Sequence, residues 1–364
     1  MLPVVHDRPP RRSSQEILDV DSPRITNALH VMDVHPRPAW LADWETRRPE
    51  WVHESVAEFF GVFFYVYAGV GATGAMVTGI ITEQPFLGNL FTVGFAYAMG
   101  IMFAITVCAM SSGGHFNPAV TIAFAVFRGF PWRKVPRYII CQISGAFVAS
   151  LIVYGQYRPY ILELEAALIA KGLEAEIFSG TGPAGIFAIY ANPGIPLKWT
   201  FMNEFFADFF LGLLIWGVLD PSNIFVATSS GPVVIAMGYA VIVWGYVPAT
   251  VATNSARDMG ARLATIAIWG TKAWGGKYPL IANFTSILAT LFAALVYELF
   301  LADTSRVVTS AAREVIANAD RHKEHQAWKF NLAVNRRRER ALSGASRTRG
   351  ASISKDAVEH REAV

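Results

Sequence analysis

Cysteine is almost absent from this 364-residue chain, charge is sparse, and histidine is missing from the long middle of the sequence. The two cysteines, Cys108 and Cys141, both fall in apolar text. That leaves no material for a disulfide framework or a zinc site, and both are expected to be packing residues. Charged side chains make up 16% of the chain against 53% hydrophobic ones, too apolar a balance for an ordinary soluble protein of this length. The first 50 residues hold no apolar stretch resembling a signal peptide, and polar, Pro-rich text such as Pro9-Pro10-Arg11-Arg12 cannot bury a core. There is no nucleophile and base arrangement and no phosphate loop, which argues against an enzyme and implies neither cofactor nor metal.

What is present is a series of long apolar runs between two charged ends. About 20 apolar residues cross the hydrocarbon core of a bilayer, and six segments qualify: Ser55 to Val77, Leu90 to Met110, Val135 to Tyr154, Phe201 to Leu219, Gly231 to Ala249 and Leu280 to Leu301. An all-α membrane protein is therefore expected, with a largely disordered tail over residues 1–54, a spanning domain over 55–301 and a basic tail over 302–364. An even number of spans puts both tails on one side. The connection carrying Arg128, Arg133, Lys134 and Arg137 is basic like the tails, so the positive-inside rule places all three in the cytoplasm. The C-terminal cluster, Arg336 to Arg340 and Arg347 to Arg349, reads as an anchor at anionic lipid rather than a nucleic-acid arm.

The spanning domain repeats itself. Ala57-Glu58-Phe59-Phe60-Gly61 opens the first span and Asn203-Glu204-Phe205-Phe206-Ala207 the fourth, and each glutamate precedes an Asn-x-Ala by a similar interval. The repeats run over 55–156 and 200–301, joined by an outer connection, 157–199. Three spans per repeat is an odd number, so the halves insert with opposite orientation. Two further helical stretches, Asn117 to Phe127 and Asn254 to Trp269, lie in connections and read as half-helices dipping into the membrane; the first is too short to span. Each is expected to begin at its Asn, because Asn is a favoured N-cap and Pro118 suits a following position that needs no amide hydrogen.

The text Ser112-Gly113-Gly114-His115-Phe116-Asn117-Pro118-Ala119 resembles the first signature loop of the aquaporin and aquaglyceroporin superfamily, and Asn254-Ser255-Ala256-Arg257-Asp258 resembles the second. The resemblance covers roughly residues 55 to 301. It implies two half-helices meeting head to head at the membrane midplane, with Asn117, Pro118, Ala119, Asn254, Ser255 and Ala256 at that height and Arg257 at an outer constriction. It also implies that Glu58 and Glu204 brace the loops, that the His115 loop lends backbone carbonyls to the pore, and that the channel is a homotetramer. Ser255 departs from the family's Pro and predicts a softer loop. Asp258 lies four residues before Arg262 and is suited both to pairing with it and to the aquaglyceroporin branch.

Aligning the halves on their Asn residues puts Tyr97, Ile242 and Val251 beside Arg257 as the expected filter. No His occurs between His115 and His322, so the His with which the water-selective branch narrows its filter is missing. One aromatic, two aliphatics and a fork of donors match glycerol, and the expected function is a passive channel for glycerol, water and other small uncharged solutes that excludes protons and ions. A water-selective or a peroxide- or ammonia-permeable pore is the alternative within the class, and a non-conducting membrane scaffold the alternative outside it. The long tails resemble those of fungal members, the plasma membrane is the expected site, and Ser343 and Ser352, each three residues after an Arg, fit a basophilic kinase.

Overall fold

In the computed structural model the described residues are 38–303, apart from 85 and 228, together with 305, 308 and 313. The basic C-terminal cluster, Ser343, Ser352 and residues 1–37 lie outside them. A short helix, α1 (Ala39–Arg47), forms a unit of its own, with Arg47 against Asp43 at 3.3 Å one turn back.

The regular structure of the remaining described residues is helical: α2 (Glu50–Ile81), α3 (Leu90–Ser112), α4 (Pro118–Phe127), α5 (Val135–Ala170), α6 (Leu197–Val218), α7 (Gly231–Tyr246), α8 (Ser255–Trp269) and α9 (Tyr278–Val296). Five helical segments are long and apolar enough to cross a membrane: Glu50–Ile81, Leu90–Ser112, Trp132–Ala170, Leu197–Val218 and Thr271–Leu301. Pro118–Phe127 and Gly231–Tyr246 are shorter apolar helices. The first long helix starts at Glu50, behind Pro49, inside the segment read from sequence as tail. At 36 residues α5 runs past Tyr154, the expected end of its span, and carries Pro159 in its interior. At 1.5 Å per residue it is about 54 Å long, well beyond the roughly 30 Å of a hydrocarbon core. α7 stops at Tyr246 and passes into a 3-10 turn, Val247–Ala249, where Pro248 has no N–H to continue the ladder.

The packing carries the repeat. α2 lies against α3 and α5, α6 lies against α7 and α9, and α3 packs on α7 across the two halves. The short helices are exchanged: α4 packs on α9 of the second half and α8 on α5 of the first. Two glycines permit the closest of these approaches. A Cβ on Gly145 would strike the backbone of Phe59 in α2, and one on Gly260 would strike that of Ile143 in α5.

Polarity is inside out. Met110 is 91% and Phe284 63% exposed, while Glu58, Glu204, Asp258 and Arg262 are completely buried. That is the pattern of a protein whose outer solvent is apolar and whose polar groups satisfy one another within. Cys108 and Cys141 are both free. At one end of the fold, Glu54 near the start of α2 accepts from Lys134 (2.5 Å) and Arg137 at the start of α5. Arg128, just after α4, pairs with Glu298 beyond α9 at 3.0 Å. The start of α2, the end of α9 and the basic connection thus come together.

Candidate functional site: two capped helices and an arginine

α4 and α8 each begin where an Asn places them. The side-chain oxygen of Asn117 accepts from the amide of Ala119 (2.9 Å) and initiates α4; that of Asn254 accepts from Ala256 (2.9 Å) and Arg257 (3.2 Å) and initiates α8. The backbone angles of the two caps are nearly the same, φ −153° in both, with ψ 128° and 116°. The other end of each side chain crosses to the opposite half. Asn117 Nδ2 donates to the carbonyl of Thr253 at 3.1 Å, and Asn254 Nδ2 donates to the carbonyl of Phe116 at 2.7 Å.

Those two carbonyls are aimed by strain. Phe116 (φ 50°) and Thr253 (φ 58°) precede the two Asn residues, and both are held in the left-handed region that side chains other than Gly rarely occupy. What holds them is carboxylate. Glu58 accepts from the amides of His115 (3.1 Å) and Phe116 (2.8 Å) and from Gln142 Nε2 (2.6 Å). Glu204 accepts from the amide of Ala252 (2.9 Å) and from the Tyr278 hydroxyl (2.5 Å). Each acid therefore fixes the turn ahead of its Asn. His115 itself sits edge-on to Phe124 and Phe130, with Nδ1 3.3 Å from the Thr121 hydroxyl.

Ser255 is tied down by its side chain. Its hydroxyl donates to the Asn283 carbonyl in α9 (2.7 Å) and lies 3.2 Å from the Ser286 hydroxyl. The ring constraint that Pro would supply is replaced here by a bond to a neighbouring helix. Ala119 and Ala256, completely buried, are small enough to let the two loops approach.

Arg257 lies one turn beyond Asn254 and is 6% exposed. Its Nε and Nη2 donate to the Tyr97 hydroxyl at 3.2 and 2.6 Å, and Nη1 donates to the Phe187 carbonyl at 2.8 Å. No carboxylate among the described residues lies within ion-pair distance of it. Tyr97 reaches it because Gly69 of α2 leaves room for the ring; a Cβ there would overlap it. Ile242 and Val251 pack with Ala207 and Leu211 of α6 in an apolar cluster. Phe187 is a partner that the sequence reading missed. The local signal for it is the apolar run Ile186 to Tyr190, one of several in that connection.

The outer connection is anchored by Asp258 and Arg262. Arg262 Nη2 and Nε meet the Asp258 carboxylate at 2.7 and 3.1 Å, and the same guanidinium donates to the carbonyls of Ile189 (2.6 Å) and Trp274 (2.8 Å). Asn283 Nδ2 also donates to Asp258 (3.1 Å), which commits that side chain to the interior. Ile189 is two residues from Phe187, and the pair thereby fixes the carbonyl that Arg257 uses. On the other side of the Asn pair lies a cavity of about 140 Å³, lined among others by Tyr65, His115, Phe116, Tyr239 and Asn254.

The comparisons with known proteins bear on the family and the fold. The chain is 48% identical over 307 residues to Aquaporin-3 of Laccaria bicolor, covering 83% of this chain and 93% of that one. It is 34% identical over 252 residues to Aquaglyceroporin-2 of Rhizophagus irregularis, covering 68% and 77%. The structure of the aquaglyceroporin from Plasmodium falciparum superposes with a TM-score of 0.58 at 24% identity, over 69% of this chain and 97% of that one, a likeness of fold. The family model described as Major intrinsic protein matches residues 45–297, and the chain with its paired Asn caps belongs to that family.

Proposed function

We propose that this protein is a passive transmembrane channel for glycerol, water and other small uncharged solutes, closed to protons and ions. The observation that carries the reading is the reciprocal bonding of Asn117 and Asn254, with Arg257 one turn outward. Each Asn amide nitrogen has a second N–H to offer a passing oxygen. Two helix N-termini facing each other add positive potential at the same height. Arg257 adds a full charge with no carboxylate beside it; of the five N–H groups of a guanidinium, three are bound here and two are left for solute. A cation entering without its hydration shell meets the charge of Arg257 and two positive helix ends, whereas a neutral hydroxyl meets hydrogen-bond partners.

In this reading α2, α3, α5, α6, α7 and α9 are the six spans, and α4 and α8 are the half-helices that meet at the midplane. α7 with its 3-10 turn reaches roughly 30 Å at the usual rises, enough for a hydrocarbon core. Tyr97, Arg257 and the Phe187 carbonyl form the filter, and Ile242 and Val251 the apolar wall behind it. The gathering of Glu54, Lys134, Arg137, Arg128 and Glu298 supports both tails on one, cytoplasmic, side. A homotetramer in the plasma membrane, with lipid on the apolar outer surface and a kinase acting on Ser343 or Ser352, completes the assignment. Glycerol is chosen because a relative bears the name aquaglyceroporin and because the middle of the chain has no His.

One observation favours a second reading, a pore of water size: Arg257 turns two of its nitrogens onto the single Tyr97 hydroxyl, which draws the filter together. Stopped-flow light scattering on proteoliposomes decides between the two. Vesicles that shrink fast in sucrose and re-swell fast in glycerol establish the first reading, with Arg257→Ala expected to admit cations. Fast shrinkage with glycerol shut out establishes the second, and no flux of either solute overturns both.

A further inference from the structure

Tyr65 of α2 is 4% exposed, and among the described residues its phenolic oxygen is buried with no hydrogen-bond partner. An orphaned hydroxyl of this kind is costly in a protein interior and calls for a partner the fold does not itself supply. Its place names that partner. The ring centroid lies 6.4 Å from that of Tyr97, which binds Arg257, and the side chain also lines the cavity shared by Asn254, Phe116 and Tyr239. Tyr65 therefore lies beside both the Tyr97 that binds Arg257 and the cavity that Asn254 lines. Its backbone is held in place, because Gly100 of α3 packs against it so closely that even a Cβ would collide there.

We infer that the Tyr65 hydroxyl is a second point of solute contact, set inward of Arg257, and that it helps determine which solutes the pore passes. The inference rests on the channel reading and adds a residue to it. A phenol both donates and accepts, so it can hold either face of a hydroxyl. Arg257 and the two Asn side chains offer solute N–H donors, and the Tyr97 hydroxyl is taken up by Arg257. Tyr65 adds a hydroxyl that no protein group holds and that can also accept a hydrogen bond from the solute, and a polyol hydroxyl needs an acceptor as well as a donor to cross without losing a bond. Water turns freely and keeps bonds with its neighbours in file. Glycerol, longer and confined by the ring of Tyr97, has fewer ways to replace a lost partner, so its passage depends more on this hydroxyl.

The test is Tyr65→Phe in proteoliposomes, read as the ratio of glycerol to water permeability in the same vesicles. That ratio does not depend on how many channels are folded. We expect it to fall about threefold relative to wild type, while the thermal midpoint of the purified protein stays level or rises, since the lost oxygen had no protein partner. An unchanged or higher ratio overturns the inference, and an unchanged ratio with a lowered midpoint shows instead that the hydroxyl serves packing. Wild-type vesicles that pass neither solute overturn the channel reading and the inference with it; wild-type vesicles that conduct while the variant ratio holds overturn the inference alone.

Discussion

In the first half of the molecule Glu58 spreads its carboxylate over the amides of His115 and Phe116 and the side chain of Gln142, and the helix that follows is apolar: Val120 stands one turn after Asn117, where Arg257 stands after Asn254. In the second half Glu204 holds the amide of Ala252 with help from a hydroxyl, and the helix that follows carries Arg257, Asp258 and Arg262. The device that aims the Asn residues is duplicated, down to the left-handed Phe116 and Thr253. The arginine that we propose sorts solutes is not. Positioning an Asn needs only local backbone geometry, which a repeated sequence reproduces. A charge at both ends of the bore would double the cost of burying it and add nothing to exclusion, so one half carries it.

The largest effect that tests this contrast is expected at Arg262. The first half has nothing like the Asp258–Arg262 pair; the corresponding positions are Thr121 and Ala125. Arg262→Ala leaves Asp258 buried and without its cation, a change that typically costs about 3–5 kcal/mol. It also frees the carbonyls of Ile189 and Trp274. Size-exclusion chromatography after graded heating should show the variant lost well before wild type. A variant as heat-resistant as wild type would mean that the outer connection is held by other contacts.

Next come the two braces. Glu58→Ala strands two backbone amides that cannot turn away, at about 1–3 kcal/mol for each unpaired buried donor. Glu204→Ala strands the Ala252 amide, while the Tyr278 hydroxyl can rotate toward another acceptor. The thermal midpoint should therefore fall further for Glu58→Ala than for Glu204→Ala. The reverse order would show that the second loop, next to the filter, is the more tightly supported of the two.

These pairs also mark how far the sequence could be read. The Asn caps, the glutamates and the arginine were legible because each depends on residue type at a fixed interval, and the repeat displays that interval twice. The Phe187 carbonyl was not, since any residue supplies a carbonyl and the outer connection has no counterpart in the other half. Tyr65 was hidden in a run of aromatics, Phe59 to Tyr67, in which one hydroxyl looks like any other until the fold decides which of them faces inward. The early end of α7 was signalled by Pro248, yet the apolar text runs on past it and masked the break.

A smaller effect is expected at the filter. Tyr97→Phe removes the acceptor of two Arg257 bonds but keeps the ring and the Phe187 carbonyl. A hydrogen bond to a charged group contributes about 1.5–3 kcal/mol. Part of that is recovered when the freed nitrogens bind solute instead. Glycerol flux should rise by a few fold over water flux in stopped-flow traces, because the guanidinium then offers more of its donors. A fall in glycerol flux would mean that Tyr97 positions Arg257 for solute rather than competing with it.

The smallest effect is expected at Ser255, where the two halves differ by one residue. Ser255→Pro makes the second loop copy the first. It gives up the bonds to Asn283 and Ser286, a net loss of about 0.5–1.5 kcal/mol. It gains from the restricted unfolded chain about 0.4–1 kcal/mol, at a first-turn position where Pro meets no steric objection. The two nearly cancel, so the thermal midpoint should move by no more than a degree or two. Ser255→Ala loses the bonds and gains no such restriction, and it should be the less stable of the two. If the Pro variant were instead clearly the worse, the hydroxyl bridge to α9 would be doing more than replacing a ring: it would be fixing the angle at which α8 leaves Asn254, and with it the height of Arg257 in the bore.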